Sequence, residues 1–398
     1  MNSITYDALE AQARPRSRMA ARWLRRVAFG VWKYAVGILL CMIPFASILV
    51  VGWTSRLMQR MAFKAWWKQS HRPYKKLLRF RDVAATTPGW IEQASWPNWI
   101  VSQNIAEDLR RGRVHKLFAG LWINLKLGVQ MMFNTSVILA VPCLMWSFAW
   151  YAGWQVSFNK AYEYFQNGAL LGLAGSIVFG VAMFYVPMAQ ARQAVSGNWR
   201  AFYDFRFVRR VIRRRWFVCA VLAAAYAVAG FIVMILISIV PLNVKWQEWL
   251  NTLAHDKTLQ TMRGYFLGAT FVIFPLYFGL RWAAARIYAS AVGRMLGTGE
   301  ISPSQLTSAE RLAFPPELVN APETRADWTK WERLIAWSKS VPGRTILGVV
   351  VFLAWSVFVF EIFVSQFFIA RGPRVWLNHP LVQLPWTDYT PPAINEPL

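Results

Sequence analysis

Glu361 is the one acid well inside an apolar run, the stretch 346–368, and a carboxylate at that depth is costly enough to be a candidate for proton relay or substrate contact. Two kinds of partner stand ready for it: Arg281, near the inner end of an earlier apolar run, and hydroxyl or backbone groups such as Ser365 one turn on. The competing reading puts Glu361 in the outer third of its helix, reaching headgroups or pairing only to fix packing. Asn134, with Ser136, is a second polar residue inside an apolar run, where side-chain hydrogen bonds join helices. Catalysis in or at a membrane needs grouped His, Asp or Glu, and the four histidines, His71, His115, His255 and His379, are scattered in loops. No GxxxxGK[ST], HExxH or GxSxG pattern occurs. Cys41, Cys143 and Cys219 lie singly in apolar runs and read as small core residues. The sequence therefore nominates no catalytic residue, no metal ligand and no cofactor.

The other chemistry is charge. Residues 192–215, RQAVSGNWRAFYDFRFVRRVIRRR, hold eight arginines and one acid between two long apolar runs. Arginine this dense beside a span is retained on the cytoplasmic side, so Arg209, Arg210, Arg213, Arg214 and Arg215 are candidates for fixing topology and touching anionic lipid. The whole chain carries 44 Lys and Arg against 19 Asp and Glu, a net charge of +25, yet is 56% apolar and 16% aromatic. Basic residues flanking apolar runs of about 20 residues point to membrane spans joined by basic loops, and away from a soluble nucleic-acid binder.

These residues need elements to hold them. The fold class that follows is all-α: a polytopic helical integral membrane protein with about five full spans plus an N-terminal re-entrant hairpin or sixth span. Residues 1–26 are polar, then basic, which places the N-terminus in the cytoplasm. Residues 27–53 are apolar, with a break at Ile43-Pro44 where two half-length helices could meet. The region 54–126 carries 14 Lys and Arg against 4 acids and would be exported if 27–53 simply crossed. A hairpin that returns both its ends to the cytoplasm is the favoured reading, and a crossing followed by a long translocated loop is the other. A membrane core of four helices follows over 127–294, with spans near 131–151, 168–190, 216–240 and 265–285. Residues 295–344 read as a cytoplasmic segment with an interfacial helix, in which Thr307 and Glu310 have the spacing of a capping box. The last span is 345–368, and 369–398 is a Pro-rich external tail.

Within this frame Arg56, Arg60, Lys64 and Lys68 recur every four residues beside an apolar, Trp-bearing stripe, the pattern of a helix lying among anionic headgroups, with a solvated helix or a continuation of the hairpin's second arm as the alternative. Gly168, Gly172 and Gly175 fall near one face of the third run and predict close helix packing. The 23 tryptophans gather at span ends, where interfacial anchoring accounts for them. The ends of two helix pairs, 187–197 and 282–293, share Ala, Arg and Gly and raise the question of a parallel duplication.

The stretch KYAVGILLCMIPFASILVVGWTSRLMQR, an apolar arm, an Ile-Pro break and a second arm ending in basic residues, resembles an uncharacterised family of prokaryotic polytopic membrane proteins. MAQARQAVSGNWRAFYDFRFVRRVIRRR resembles that family's second feature. The resemblance covers about 60 residues and implies a helical membrane domain, with no catalytic residue to carry over. The expected protein is a non-enzymatic component of the cell inner membrane, multi-pass and bacterial, with a structural, assembly or membrane-organising role. Its partners would be anionic lipid headgroups and a cytoplasmic or membrane protein, not nucleic acid. The alternative is a transporter or lipid-handling protein.

Overall fold

The computed structural model describes residues 17–69, 113–150, 165–239, 243–307, 310–311, 336–338, 340–354 and 378–387. The described residues contain no strand. The helices are α1 (Ser17–Cys41), α2 (Pro44–Gln69), α3 (Arg113–Phe148), α4 (Phe165–Ser196), α5 (Phe205–Arg214), α6 (Trp216–Met234), α7 (Val244–Asn251), α8 (His255–Gly297) and α9 (Val341–Ala354). A π turn, Ile235–Ile239, prolongs α6. Four helical stretches are long and apolar enough to cross a membrane: Phe118–Phe148, Leu170–Ser196, Trp216–Ile237 and His255–Gly297. The described residues are all-α, with four helices compatible with a multi-pass membrane protein.

The middle of the bundle is α2, which packs on α3, α8 and α4. Its residues 50–59 are buried on every side, Thr54, Ser55, Arg56 and Gln59 among them. Such a helix looks interfacial by composition and is core by position, because its polar groups find partners far along the chain. Arg56 is 3% exposed and donates to Asn124 Oδ1 at 3.2 Å, so it does not stand on a lipid-facing stripe. Arg60 is half-buried and Lys64 exposed, and the side chain of Lys68 lies outside the described residues. Gln59 reaches the Val195 carbonyl at 3.5 Å, and Trp66 Nε1 donates to the Ala289 carbonyl at 2.8 Å.

The chain breaks between α1 and α2 at Met42 and Ile43, just before Pro44. The two helices fold back on each other. Tyr34 meets Phe274 edge-on and Trp53 stacks on it, with ring centroids 5.5 and 6.3 Å away, whereas a straight helix would hold these two residues about 28 Å apart. The apolar part of α1, Gly30–Cys41, is 12 residues, about 18 Å of helix, too short to cross roughly 30 Å of hydrocarbon.

Close approach sets the α2–α3 crossing. A Cβ added at Gly52 would lie 1.8 Å from the Asn124 carbonyl oxygen, and one at Gly128 would lie 2.1 Å from that of Ile48. Of the glycines singled out in the third run, Gly168, Gly172 and Gly175 are all buried, and a Cβ added at Gly175 would lie 2.8 Å from the Trp146 ring.

Two features depart from the hydropathy reading. The polar stretch before the fifth run and the basic stretch after it belong to one helix of 43 residues, α8, about 65 Å long and so extending beyond the hydrocarbon. It passes Gly293 and stops only near Gly299, in the left-handed region at φ 71°, as α4 stops at Gly197 with φ 68°. Arg192 is buried and Arg286 exposed, so the two arginines of the suspected duplication occupy unlike surroundings. The second departure is residues 378–387. Within the expected external tail, this stretch packs into the bundle, with Leu381, Val382 and Gln383 buried.

Candidate functional site: a buried polar seam and a basic end

Polar side chains from α2, α3, α4 and α8 meet along the bundle interior. Arg281 is 1% exposed. It donates through Nη1 to Met131 Sδ at 2.8 Å and Thr54 Oγ1 at 3.5 Å, and through Nη2 to the Val382 carbonyl at 3.2 Å, with its guanidinium 4.5 Å from the Tyr277 ring centre. Gln190 donates to Thr135 Oγ1 at 2.8 Å and to the same Val382 carbonyl at 3.0 Å. Gln383 donates to Ser136 Oγ at 3.0 Å. Irregular backbone is tolerated at membrane depth only when protein covers it and its polar groups are satisfied. The 378–387 segment meets that condition: Asn378 donates to the Leu384 and Trp386 carbonyls and accepts from Leu384 N, while the amides of Val382 and Gln383 bond back to the His379 carbonyl.

One layer on, Asn134 joins α3 to α4 and to the turn that follows it. It donates to Gln193 Oε1 at 3.1 Å and to the Trp199 carbonyl at 2.9 Å, and accepts from the Tyr203 hydroxyl at 3.0 Å. Burial pushes the Tyr203 hydroxyl up from its ordinary value, which keeps it a donor.

The most enclosed charge pair was not legible as such. Arg192, 3% exposed, bonds to the fully buried Glu310, to the Tyr288 hydroxyl at 3.0 Å and to the Gln305 carbonyl at 3.3 Å, and lies 3.8 Å over the Phe207 ring. Glu310 also accepts from the Tyr288 hydroxyl at 2.6 Å and from Thr307 N at 2.9 Å, and its own N donates to Thr307 Oγ1 at 3.4 Å. The reciprocal Thr307–Glu310 bonds are those of a capping box. The signal for half of this cluster lay in the 307–310 spacing. The partner 118 residues away had none.

The arginine cluster divides into ties and exposed charge. Gly197 ends α4, Asp204 Oδ1 accepts from Phe207 N at 3.3 Å to start α5, and Phe207, Val208, Val211 and Ile212 turn inward. That leaves Arg206, Arg209 and Arg213 outward and exposed. Arg214 pairs with Glu300 at 2.5 Å, Arg210 reaches the Glu300 carbonyl at 3.5 Å, and Arg215 bonds to Ser290 on α8. Burial, then Arg294 and Arg214 nearby, lowers the Arg215 guanidinium to about 10, still charged at neutral pH.

The cross-bonds already described bring the C-terminal ends of α2, α4 and α8, with α5, to one end of the bundle. α3 joins them there, since Arg56 meets Asn124 in its N-terminal part. Glu361, a candidate partner of Arg281, lies outside the described residues. Among the described residues no three His, Cys, Asp or Glu gather as metal ligands. Cys41, Cys143 and Cys219 are free thiols and buried.

No protein-family model matches this chain, and neither a curated protein nor a solved structure does.

Proposed function

We propose that this chain is a non-enzymatic, multi-pass protein of the bacterial inner membrane with a structural, assembly or membrane-organising role, its basic end turned to the cytoplasm. The observation that carries the reading is α5, an amphipathic helix laid across the bundle end with Arg206, Arg209 and Arg213 pointing outward. Such a surface is attracted to anionic headgroups, at about 1 kcal/mol per basic residue near the bilayer, and offers a docking face to an acidic protein partner. In this reading the four long apolar helices cross, the run 345–368 adds a fifth span, and α1 with α2 forms the re-entrant hairpin that keeps every basic region on one side. The resemblance noted in the sequence is consistent with such a domain.

The test is reconstitution into vesicles of graded phosphatidylglycerol content. The thermal midpoint of the parent protein is expected to rise with phosphatidylglycerol and to fall back in high salt. The joint variant Arg206→Gln, Arg209→Gln, Arg213→Gln is expected to lose most of that dependence. A midpoint indifferent to headgroup charge in the parent sinks the reading.

A second reading, a transporter or lipid-handling protein, draws on one observation: Thr54, Thr135, Ser136, Gln190 and Arg281 converge in the bundle interior and are covered by 378–387. Lipid or solute flux in proteoliposomes that Arg281→Gln abolishes would favour it over the first.

A further inference from the structure

On one flank of the bundle α4, α5, the start of α6 and α9 enclose a groove of about 870 Å³. Its walls are apolar: Ile177, Val181 and Phe184 from α4 face Gly348, Val349 and Phe352 from α9. From Ile177 to Tyr185 the α4 wall runs about 12 Å. At its Tyr185 end it touches the beginning of α5, where Tyr185 stacks on Phe205 with ring centroids 5.0 Å apart. Three arginines, Arg209, Arg213 and Arg344, join this lining. None of the three is in a salt bridge among the described residues. One further donor, Trp216 Nε1, and the Nε of Arg344 itself are buried with no hydrogen-bond partner among the described residues. The Trp216 ring is held flat on Phe184, centroids 4.9 Å apart and 6° from parallel, so its N–H cannot turn away. A buried donor left unmade is destabilising, and an orphan of this kind calls for an acceptor that no described residue supplies.

An apolar trough lined with three guanidinium groups and the unanswered indole N–H of Trp216 complements an anionic amphiphile. We infer that the groove holds one anionic phospholipid, with an acyl chain between α4 and α9 and its phosphate on Arg209, Arg213 and Arg344. Arginine forks suit phosphate oxygens, and Trp216 can donate to a further phosphate or ester oxygen. A zwitterionic lipid would bring its ammonium among the same arginines and be disfavoured. This site rests on the reading that the α5 end meets anionic headgroups, and adds to it a single bound molecule with defined stoichiometry.

Glycines on the two walls make the groove testable. Gly180 on α4 and Gly348 on α9 both line it, and a Cβ at either meets no protein atom within 4 Å. Gly348→Phe and Gly180→Phe therefore fill the groove from opposite sides without pressing on the fold, and Arg344→Gln removes charge without adding bulk. The full chain, stripped of lipid by detergent exchange, is titrated with palmitoyl-oleoyl phosphatidylglycerol or phosphatidylcholine and read by native mass spectrometry. The parent should take up one phosphatidylglycerol at about tenfold lower concentration than phosphatidylcholine. Both glycine variants should lose that adduct, Arg344→Gln should weaken it about tenfold, and millimolar inorganic phosphate should leave it in place. Equal uptake by the parent and both glycine variants overturns the site. So does equal uptake of the two lipids, displacement by phosphate (a free-anion site), or a parent that takes no lipid because its own chain fills the groove. The broader reading fails separately, when the vesicle midpoint of the parent ignores phosphatidylglycerol content.

Discussion

Gly52 and Gly128 show how much a single hydrogen atom in place of a methyl group decides here. Each faces a carbonyl oxygen of the other helix, at 1.8 and 2.1 Å from where a Cβ would stand, and backbone cannot give way as a flexible side chain does. Gly52→Ala and Gly128→Ala are each expected to cost about 3 kcal/mol in thermal unfolding in detergent, the upper range of overpacking. Gly264→Ala, on an exposed face of α8 with nothing within 4 Å, serves as the neutral control. A Gly52→Ala midpoint equal to that of the control would show that α2 and α3 do not cross this closely. The Arg192–Glu310 pair makes the complementary point about charge. Removing Arg192 strands Glu310 in a site that excludes water, at about 3–5 kcal/mol, whereas Arg192 without Glu310 keeps Asp204 3.6 Å away. Arg192→Gln should destabilise by that order and Glu310→Gln by less, and the double variant by clearly less than their sum, since Glu310→Gln removes the charge that Arg192→Gln strands. Strict additivity in that cycle would mean that the two side chains do not meet.

At the scale of elements, the 378–387 segment and the stretch 54–59 of α2 share a property: each carries polar side chains that are buried by position. Hydropathy assigns a polar stretch to the surface because it counts residues and cannot see partners. Gln383, Asn378 and His379 beside Pro380 and Pro385 read as loop, while Ser136 and Gln190, which answer this segment, lie 247 and 192 residues away. Arg56 fits a headgroup stripe or a continued hairpin arm equally by sequence for the same reason, its acceptor Asn124 being 68 residues off. What depends on neighbours along the chain was legible: the helix break before Pro44, the Thr307–Glu310 box, and the long apolar helices. Arg281 and Asn134 were also legible as buried polar residues, although their partners were not. The prediction at this scale concerns the covering segment. Leu381→Ala removes a fully buried side chain and should cost about 2–4 kcal/mol, and Gln383→Ala about 1 kcal/mol with its bond to Ser136. Hydrogen exchange over 378–387 should be slow in the parent and faster in both variants. Rapid exchange in the parent would mean that the segment does not cover the seam.

For the whole molecule the arrangement of ends is the strongest constraint, because it ties distant parts of the chain to one side. Arg214 reaches Glu300 and Arg192 reaches Glu310, so the turn after α4 and the segment after α8 must share a face of the membrane, with α6 leaving that face and α8 returning to it. The junction between α6 and α8, which contains α7, then lies opposite. In the proposed function the density of arginine at the shared end assigns it to the cytoplasm. Single cysteines at Arg200, Ser302 and Lys257, all exposed, test both statements with a membrane-impermeant thiol reagent on intact cells. Cys41, Cys143 and Cys219 are buried and should contribute little background. The expected pattern is labelling at Lys257→Cys alone. Labelling at Arg200→Cys and Ser302→Cys, with Lys257→Cys silent, would keep the bundle and reverse the protein in the membrane, putting the basic end outside and ending the proposal of a cytoplasmic partner. Arg200→Cys and Ser302→Cys reporting opposite sides would break the bundle itself, since no orientation of this fold separates them.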